Sequence, residues 1–268
     1  MSKNQPARLQ VLRAFDITPH MRRVVFGGSG FATLLARNVP FTDRYVKLVF
    51  LDPGATYPEP LDLEVVRATM PPETWPILRT YTIRWIDEAA AELAIDFVVH
   101  GDEGLAGPWA ATAQPGDEIH LRGPGGAYAP DPAADYHLFV GDEAAIPAIA
   151  AGVEALEPGA QATAFIEVTG PDDEQPLPSK ADITVHWLHR GAADAGSTEL
   201  LDQAVRAWQW PEGRVCAFVH GESKILRTVR PYLASDRQVA RGDLSVSAYW
   251  RVGATEEGFR QWKAEQVS

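Results

Sequence analysis

The sequence predicts two domains in series, a six-stranded antiparallel β-barrel followed by an open α/β domain built on a parallel sheet. Three observations carry this. Up to about residue 125 the chain reads as short strands separated by turn residues. After Gly123-Pro-Gly-Gly126 it changes to strands alternating with helical stretches, the pattern of a parallel sheet covered by helices. The length of 268 residues fits two ordinary domains or one large one. The boundary is expected at 130/131, giving domains 1–130 and 131–268.

The strands follow in order. Residues 8–15 and 21–26 flank an expected turn at Asp16-Ile-Thr-Pro19, and residues 44–50 form the third strand. Residues 52–76 are rich in Pro and too punctuated for regular structure. Strands are expected again at 79–85, 92–99 and 117–122. In the second domain, 136–140, 162–168, 183–188, 215–219 and 244–250 read as strands. Residues 144–156, 198–208 and 223–232 read as helices, and 255–266 as a closing helix. In such a pair of domains the natural ligand position is the cleft between them, faced by the carboxyl ends of the parallel strands.

Composition narrows the function. The chain carries 24 Lys/Arg against 36 Asp/Glu, a net charge of −12. Residues 1–130 hold 12 against 15 and residues 131–268 hold 12 against 21, so the second domain is the more acidic. This excludes a generic nucleic-acid binder, which needs a basic footprint. No apolar run approaches the roughly 18 residues of a membrane span, and no secretory leader is visible. The expected location is the cytoplasm, and no heptads argue for anything but a monomer. Cys216 is the single cysteine, so internal disulfides, Cys-ligated clusters and multi-Cys zinc sites are excluded. It lies in an apolar run and reads as a buried, inert thiol. The seven histidines show no metal-ligand spacing; His186, His189 and His220 read as structural.

Arg79-Thr-Tyr-Thr82 is the first segment with chemistry. On a strand, Arg79 and Tyr81 share one face and Thr80 and Thr82 the other. A cation, an aromatic plane and two hydroxyls suit a flat ring with a phosphate tail, as in a flavin nucleotide; an edge strand with a polar outer face has the same composition. About 25 residues on, His100-Gly-Asp-Glu-Gly-Leu-Ala-Gly-Pro-Trp-Ala110 follows a strand and opens a short helix. Glycines there permit close backbone approach, and free amides at a helix start attract a pyrophosphate; a plain strand-to-helix turn is the alternative. In the second domain Gly141-Asp-Glu-Ala-Ala-Ile-Pro147 lacks the Gly-x-Gly-x-x-Gly fingerprint. It shares one sheet edge with His220-Gly-Glu222 and with Ala248-Tyr-Trp-Arg-Val-Gly253.

Taken in order, Arg79-Thr-Tyr-Thr82, His100-Gly-Asp102, Gly107-Pro-Trp-Ala110, Pro115-Gly-Asp117, Gly123-Pro-Gly-Gly126, Gly141-Asp-Glu143, Pro147-Ala-Ile149, His220-Gly-Glu222 and Tyr249-Trp-Arg251 resemble the siderophore-interacting protein family. These are FAD-dependent ferric-siderophore reductases of the ferredoxin-reductase superfamily. The resemblance runs from about Arg8 to the closing helix. It implies that Arg79, Thr80, Tyr81 and Thr82 hold the isoalloxazine and its phosphate, and that Val98, Val99 and His100 run along the flavin tail. It implies further that Gly107, Trp109 and Ala110 cradle the pyrophosphate, and that Asp142, Glu143, Tyr249 and Trp250 border the nicotinamide or flavin edge. Lys47 and Arg251 match basic positions that attract an anionic ferric chelate. The third such position is Gly125 here, a departure that Arg122 or Arg44 would have to offset. The acidic loop carries Ala144 where a hydroxyl is common.

The implied reaction reduces chelated Fe(III) to Fe(II) with electrons from NADPH or NADH through FAD, and no catalytic triad or resident metal is required. Ferredoxin is an alternative donor, although an acidic domain repels an acidic carrier. Arg190, Lys224, Arg227 and Arg230 suit a 2′-phosphate, and equally suit a solvated surface. A general flavin or ferric reductase, a non-catalytic ferric-chelate-binding flavoprotein and a cofactor-free two-domain protein remain as other readings.

Overall fold

The computed structural model describes residues 5–101, 104–254, 258–259 and 262. The chain forms two compact units, one of Met1–Ile17 and Arg22–Ala127, the other of Thr18–Met21 and Tyr128–Ser268.

The first unit is a closed barrel in the order β1-β2-β5-β4-β3-β6. Its strands are β1 (Ala7–Thr18), β2 (Met21–Gly27), β3 (Tyr45–Phe50), β4 (Ile77–Asp87), β5 (Glu92–Val98) and β6 (Glu118–Gly125). Alternation fills it: Leu9, Val11, Val24, Phe26, Val46, Leu48, Ile83, Ile95, Phe97 and Leu121 form one core. On the outer face, Asp96 takes a bidentate pair from Arg23, Nε to Oδ1 at 2.6 Å and Nη2 to Oδ2 at 2.7 Å.

Two expectations fail in this unit. The turn expected at 16–19 is shorter, because β1 continues to Thr18 through Ile17, and only Pro19 and His20 turn. Residues 52–76 are not irregular throughout: α2 (Leu63–Thr69) lies within them. Asp62 caps it, accepting from the Glu64 and Val65 amides, and Leu63 and Val66 pack with Val49 and Leu78. The unit also holds α1 (Phe31–Leu35), which the sequence did not suggest, and α3 (Ala106–Thr112), which it did.

The second unit is a five-stranded parallel sheet in the order β11-β10-β7-β8-β9. The strands are β7 (Tyr136–Asp142), β8 (Gln161–Val168), β9 (Asp182–His189), β10 (Val215–Glu222) and β11 (Leu244–Trp250). Every residue of β10 is buried, and β7 from His137 on, as a sheet covered on both faces requires. Leu138 and Val140 face Val205 of α5 (Leu200–Ala207) and Ile225 and Val229 beyond β10. Phe139, on the other face, meets Gly152 of α4 (Ile146–Glu154) so closely that a Cβ there would lie 2.8 Å from its ring.

The helix expected at 223–232 is broken. A 3₁₀ turn (Ser223–Leu226) leads to α6 (Val229–Pro231) and then to a π turn (Tyr232–Asp236). Pro231 has no N–H to continue an α-helical ladder. The expected closing helix at 255–266 lies largely outside the described residues. Among the described residues no helix is long and apolar enough to cross a membrane.

Candidate functional site

In the barrel unit, β4 sets the faces as its alternation requires. Leu78 packs outside with Val49 and Val66, while Tyr81 and Ile83 turn to the barrel core. Arg79 and Tyr81 therefore share one face and Thr80 and Thr82 the other. The Tyr81 ring lies 4.5 Å from Phe97, Phe97 lies 5.9 Å from Trp109, and Trp109 stacks on Phe26 at 6.2 Å. These rings tie β4, β5 and α3 together. Val99 packs on the same core, Val98 and Gly107 are half-buried and His100 is exposed. Ala110 is fully buried and its carbonyl accepts from Arg22 Nε at 2.8 Å, so it shapes the site from beneath. Arg79 is half-buried, with Nη1 donating to its neighbour's carbonyl at 3.1 Å.

No side chain caps α3 at Leu105. The first turn of α3 thus lacks a side-chain acceptor among the described residues. Gly104, at φ +84, meets nothing within 4 Å where a Cβ would stand. A cation, an aromatic wall and an open, uncapped turn are what a flavin dinucleotide requires, so the residues present fit FAD.

Register places the basic residues. Lys47 on β3 stands opposite Thr80 of β4 and opposite Arg122 of β6. All three lie on the outer face, since Val46, Leu48 and Leu121 point inward. Arg122, not Arg44, is the cation beside Lys47; Arg44 is half-buried, and burial pulls its pKa down. Gly125 has a packing reason. A Cβ there would lie 2.6 Å from the Tyr45 ring, which fills the position where the resemblance would place a cation.

In the α/β unit the sheet order reverses at β7, between β8 and β10, and a crevice forms at the carboxyl ends of such strands. Asp142, at the end of β7, is 5% exposed. Its Oδ2 accepts from Glu222 N at 2.7 Å and from Trp250 Nε1 at 2.8 Å, and its Oδ1 accepts from Ala144 N at 3.0 Å. Burial pushes its carboxyl up to about 7, and the Glu143 charge adds to this against those donors. Two glycines permit the approach. A Cβ on Gly141 would lie 2.6 Å from the His220 carbonyl, and one on Gly221, at φ +148, 2.7 Å from the Asp142 carboxylate. Glu222 in turn caps the next 3₁₀ turn, accepting from Lys224 N at 2.5 Å.

Beside these residues opens a shallow cleft enclosing about 30 Å³. Asp142, Glu143, Glu167, Glu199, Asp202 and Glu222 line it, against one cation, Lys224. Arg190 reaches Glu143 at 2.5 Å and Thr169 Oγ1 at 2.7 Å, and Lys224 reaches Glu199 at 2.5 Å. Of the four cations suited to a 2′-phosphate, two are therefore held in ion pairs, and Arg227 and Arg230 are exposed. Thr198 Oγ1 donates to Glu167 at 2.6 Å, and burial raises the Glu167 pKa.

Tyr249 packs edge-on against His220 at 5.0 Å. Arg251 is exposed, with its guanidinium 5.0 Å over the Trp262 ring. Sequence reasoning did not assign Glu167, Glu199 or Asp202. Only Glu167 carries a signal, a carboxylate inside an otherwise apolar strand.

Histidines of the α/β unit pack against or pair with neighbouring side chains. His220 stacks on Phe218 at 3.8 Å, His186 on Phe165 at 4.8 Å, and His189 meets Glu174 at 2.8 Å. Cys216 is buried, with its thiol pushed up to about 11, chiefly by burial. It lies with Asp131 and Asp243 in a group of potential metal ligands within 4.8 Å of one another. Arg214 already bridges those two carboxylates at 2.7 and 2.5 Å and supplies the positive charge there.

Comparison with known proteins agrees with this geometry. The model of the siderophore-interacting FAD-binding domain matches residues 10–128, and that of the siderophore-interacting protein matches 134–253. The ferric vibriobactin reductase of Vibrio cholerae is 35% identical, covering 71% of this chain and 70% of that one. The NADPH-dependent ferric-chelate reductase of Escherichia coli is 30% identical over 90% of this chain and 91% of that one. A siderophore utilization protein from T. fusca superposes with a TM-score of 0.78 at 40% identity, covering 92% of this chain and 93% of that one. The chain belongs to the siderophore-interacting protein family, and its barrel is the FAD-binding domain of that family.

Proposed function

We propose that the protein is a ferric-siderophore reductase that passes electrons from NADPH or NADH through FAD to chelated Fe(III). The observation that carries this is the barrel site, where Arg79, the Tyr81–Phe97–Trp109 rings and the uncapped α3 turn fit a flavin dinucleotide. Names borne by relatives agree, a ferric vibriobactin reductase and an NADPH-dependent ferric-chelate reductase among them.

FAD takes two electrons together and releases them singly, which suits a two-electron donor and a one-electron acceptor. The chain's own residues bind and orient. Arg79 neutralises phosphate charge, Thr80, Tyr81 and Thr82 hold the ring and its first phosphate, and Val98, Val99 and His100 line the tail. Gly107, Trp109 and Ala110 shape the pyrophosphate cradle. Asp142, Glu143, Tyr249 and Trp250 form the border at the sheet edge. Lys47 on the barrel and Arg251 on the α/β unit each attract an anionic ferric chelate, and Arg122, opposite Lys47, adds the charge that Gly125 does not supply. One electron loosens such a chelate, because hard anionic oxygens favour the more highly charged ion.

Anaerobic stopped-flow mixing tests this. Oxidised holoprotein is mixed with NADPH, NADH or reduced ferredoxin, and the reduced form then with a ferric siderophore. Flavin bleaching by a nicotinamide donor, followed by recovery with two Fe(II) formed per flavin, is the expected result. Bleaching by ferredoxin alone would move the donor assignment, and flavin that no donor bleaches would sink the reductase reading.

A further inference from the structure

We infer that Asp142 is a positioning residue for anion capture: its buried carboxyl fixes the Trp250 indole and, together with Glu222, sets where Arg251 stands. The inference rests on reading Arg251 as an attractor of the ferric chelate. The chain leaving β11 is held at two points, one on each side of Arg251. Before it, Trp250 Nε1 donates to Asp142 Oδ2 at 2.8 Å. After it, the Val252 amide donates to Glu222 Oε1 at 3.2 Å.

Both anchors are themselves fixed. Asp142 takes backbone N–H groups from Glu222 at 2.7 Å and from Ala144 at 3.0 Å, so the carboxyl is oriented by the ends of two strands. Glu222 is held by the Ser223 hydroxyl at 2.8 Å and the Lys224 amide at 2.5 Å. A buried polar group with its partners in place is a rigid support. Three N–H groups of the protein already point at Asp142, which therefore acts through Trp250 rather than as a ligand. Arg251, between the clamps, is exposed. A long flexible cation concentrates positive potential at one place only if its backbone is held there.

The test uses FAD-loaded protein reduced with dithionite under argon, and Fe(III)–EDTA as the anionic acceptor. Flavin reoxidation against acceptor concentration gives KM and a limiting rate. The variants are D142N, W250F and R251A, with the doubles D142N/R251A and W250F/R251A. W250F removes the indole N–H while leaving Asp142 in place, and so carries the test if D142N folds poorly.

R251A alone tests the underlying reading, with a KM raised about tenfold. D142N and W250F are expected to raise KM about three- to tenfold, and to add nothing in the R251A background. An R251A protein with native KM overturns the role of Arg251 and the clamp with it. A raised KM in R251A, with native KM in D142N and W250F, overturns the clamp alone. So do increases of equal size in the native and R251A backgrounds, because Asp142 would then act by another route.

Discussion

The strand-to-helix turns of the two units differ in what satisfies their amides. After β7 and after β10, Asp142 and Glu222 turn back and cap the following 3₁₀ turns themselves. At the start of α3 in the barrel unit no side chain among the described residues does so. A carboxylate and a phosphate compete for the same N–H groups. The barrel turn, as far as it is described, is open to an anion, which suits the proposed FAD phosphate there, whereas the sheet turns already hold a carboxyl group each. The contrast extends to charge. Lys47 and Arg122 stand side by side on the barrel, whereas the cleft of the α/β unit is lined by carboxyl groups.

The largest test of this contrast is in the buried ion pairs, one in each unit. Asp96 is 3% exposed, and Asp96→Ala leaves the Arg23 guanidinium without its carboxylate on the outer face of the barrel. We expect a loss of about 3–5 kcal/mol, with FAD released at lower urea concentration. Glu143→Ala leaves Arg190 with a second acceptor, Thr169 Oγ1 at 2.7 Å, which Arg23 lacks among the contacts of its pair. Its expected cost is smaller, about 1–2 kcal/mol. Urea titrations followed by flavin fluorescence and by far-UV circular dichroism compare the two. Equal costs would break the contrast between a cation left without a partner and one that keeps a second acceptor.

The next effect is a pH slope. Asp142 titrates near 7 in the folded protein, against an ordinary carboxyl value near 4. Between those values the native state keeps a proton that the unfolded chain has released. This group's contribution to stability therefore falls as pH rises through that window and levels off above it. The slope from one group is at most about 1.4 kcal/mol per pH unit. In Asp142→Asn it should vanish, which denaturation midpoints between pH 4.5 and 8 would show. A variant with the native slope would place the titration elsewhere.

How much of this was legible in the sequence follows from how local each signal is. The alternation in Arg79–Ile83 gave both faces of β4, and the apolar run around Cys216 gave its burial. Residues 52–76 hid a helix behind their prolines, although Asp62 followed by Leu63 and Val66 is a local cap and a local apolar stripe. Pro231 broke a helix that composition alone favoured. The cleft was not legible, because Glu167, Glu199 and Asp202 come from segments that meet only through the parallel order of the sheet. The partnership of Lys47 with Arg122 is likewise a property of strand register, 75 residues apart in sequence.

That partnership gives a smaller prediction. Like charges directly opposite on neighbouring strands repel, so this arrangement gains from an anion close by. Lys47→Ala and Arg122→Ala should each raise KM for an anionic ferric chelate about three- to fivefold and flatten its dependence on salt. Arg67→Ala, on the exposed side of α2, is the control of equal charge change. If Arg67→Ala does as much as Arg122→Ala, net charge alone is at work and the paired cations have no special place.

The smallest expected effect separates the donors. Glu199 faces the cleft and draws Lys224 to itself at 2.5 Å. Glu199→Gln removes one negative charge from the lining and loosens Lys224 from its partner. Both changes favour an incoming phosphate, and NADPH carries one more of these than NADH. The pair is partly exposed, so the gain is below about 1 kcal/mol. We expect a two- to threefold lower KM for NADPH, a smaller fall for NADH, and no change in reoxidation by the ferric chelate. Equal falls for both nucleotides would mean that the variant acts on the pyrophosphate they share. No fall for either would mean that the carboxyl groups of this cleft do not face the donor at all, and the charge contrast between the units would then bear on FAD and the chelate alone.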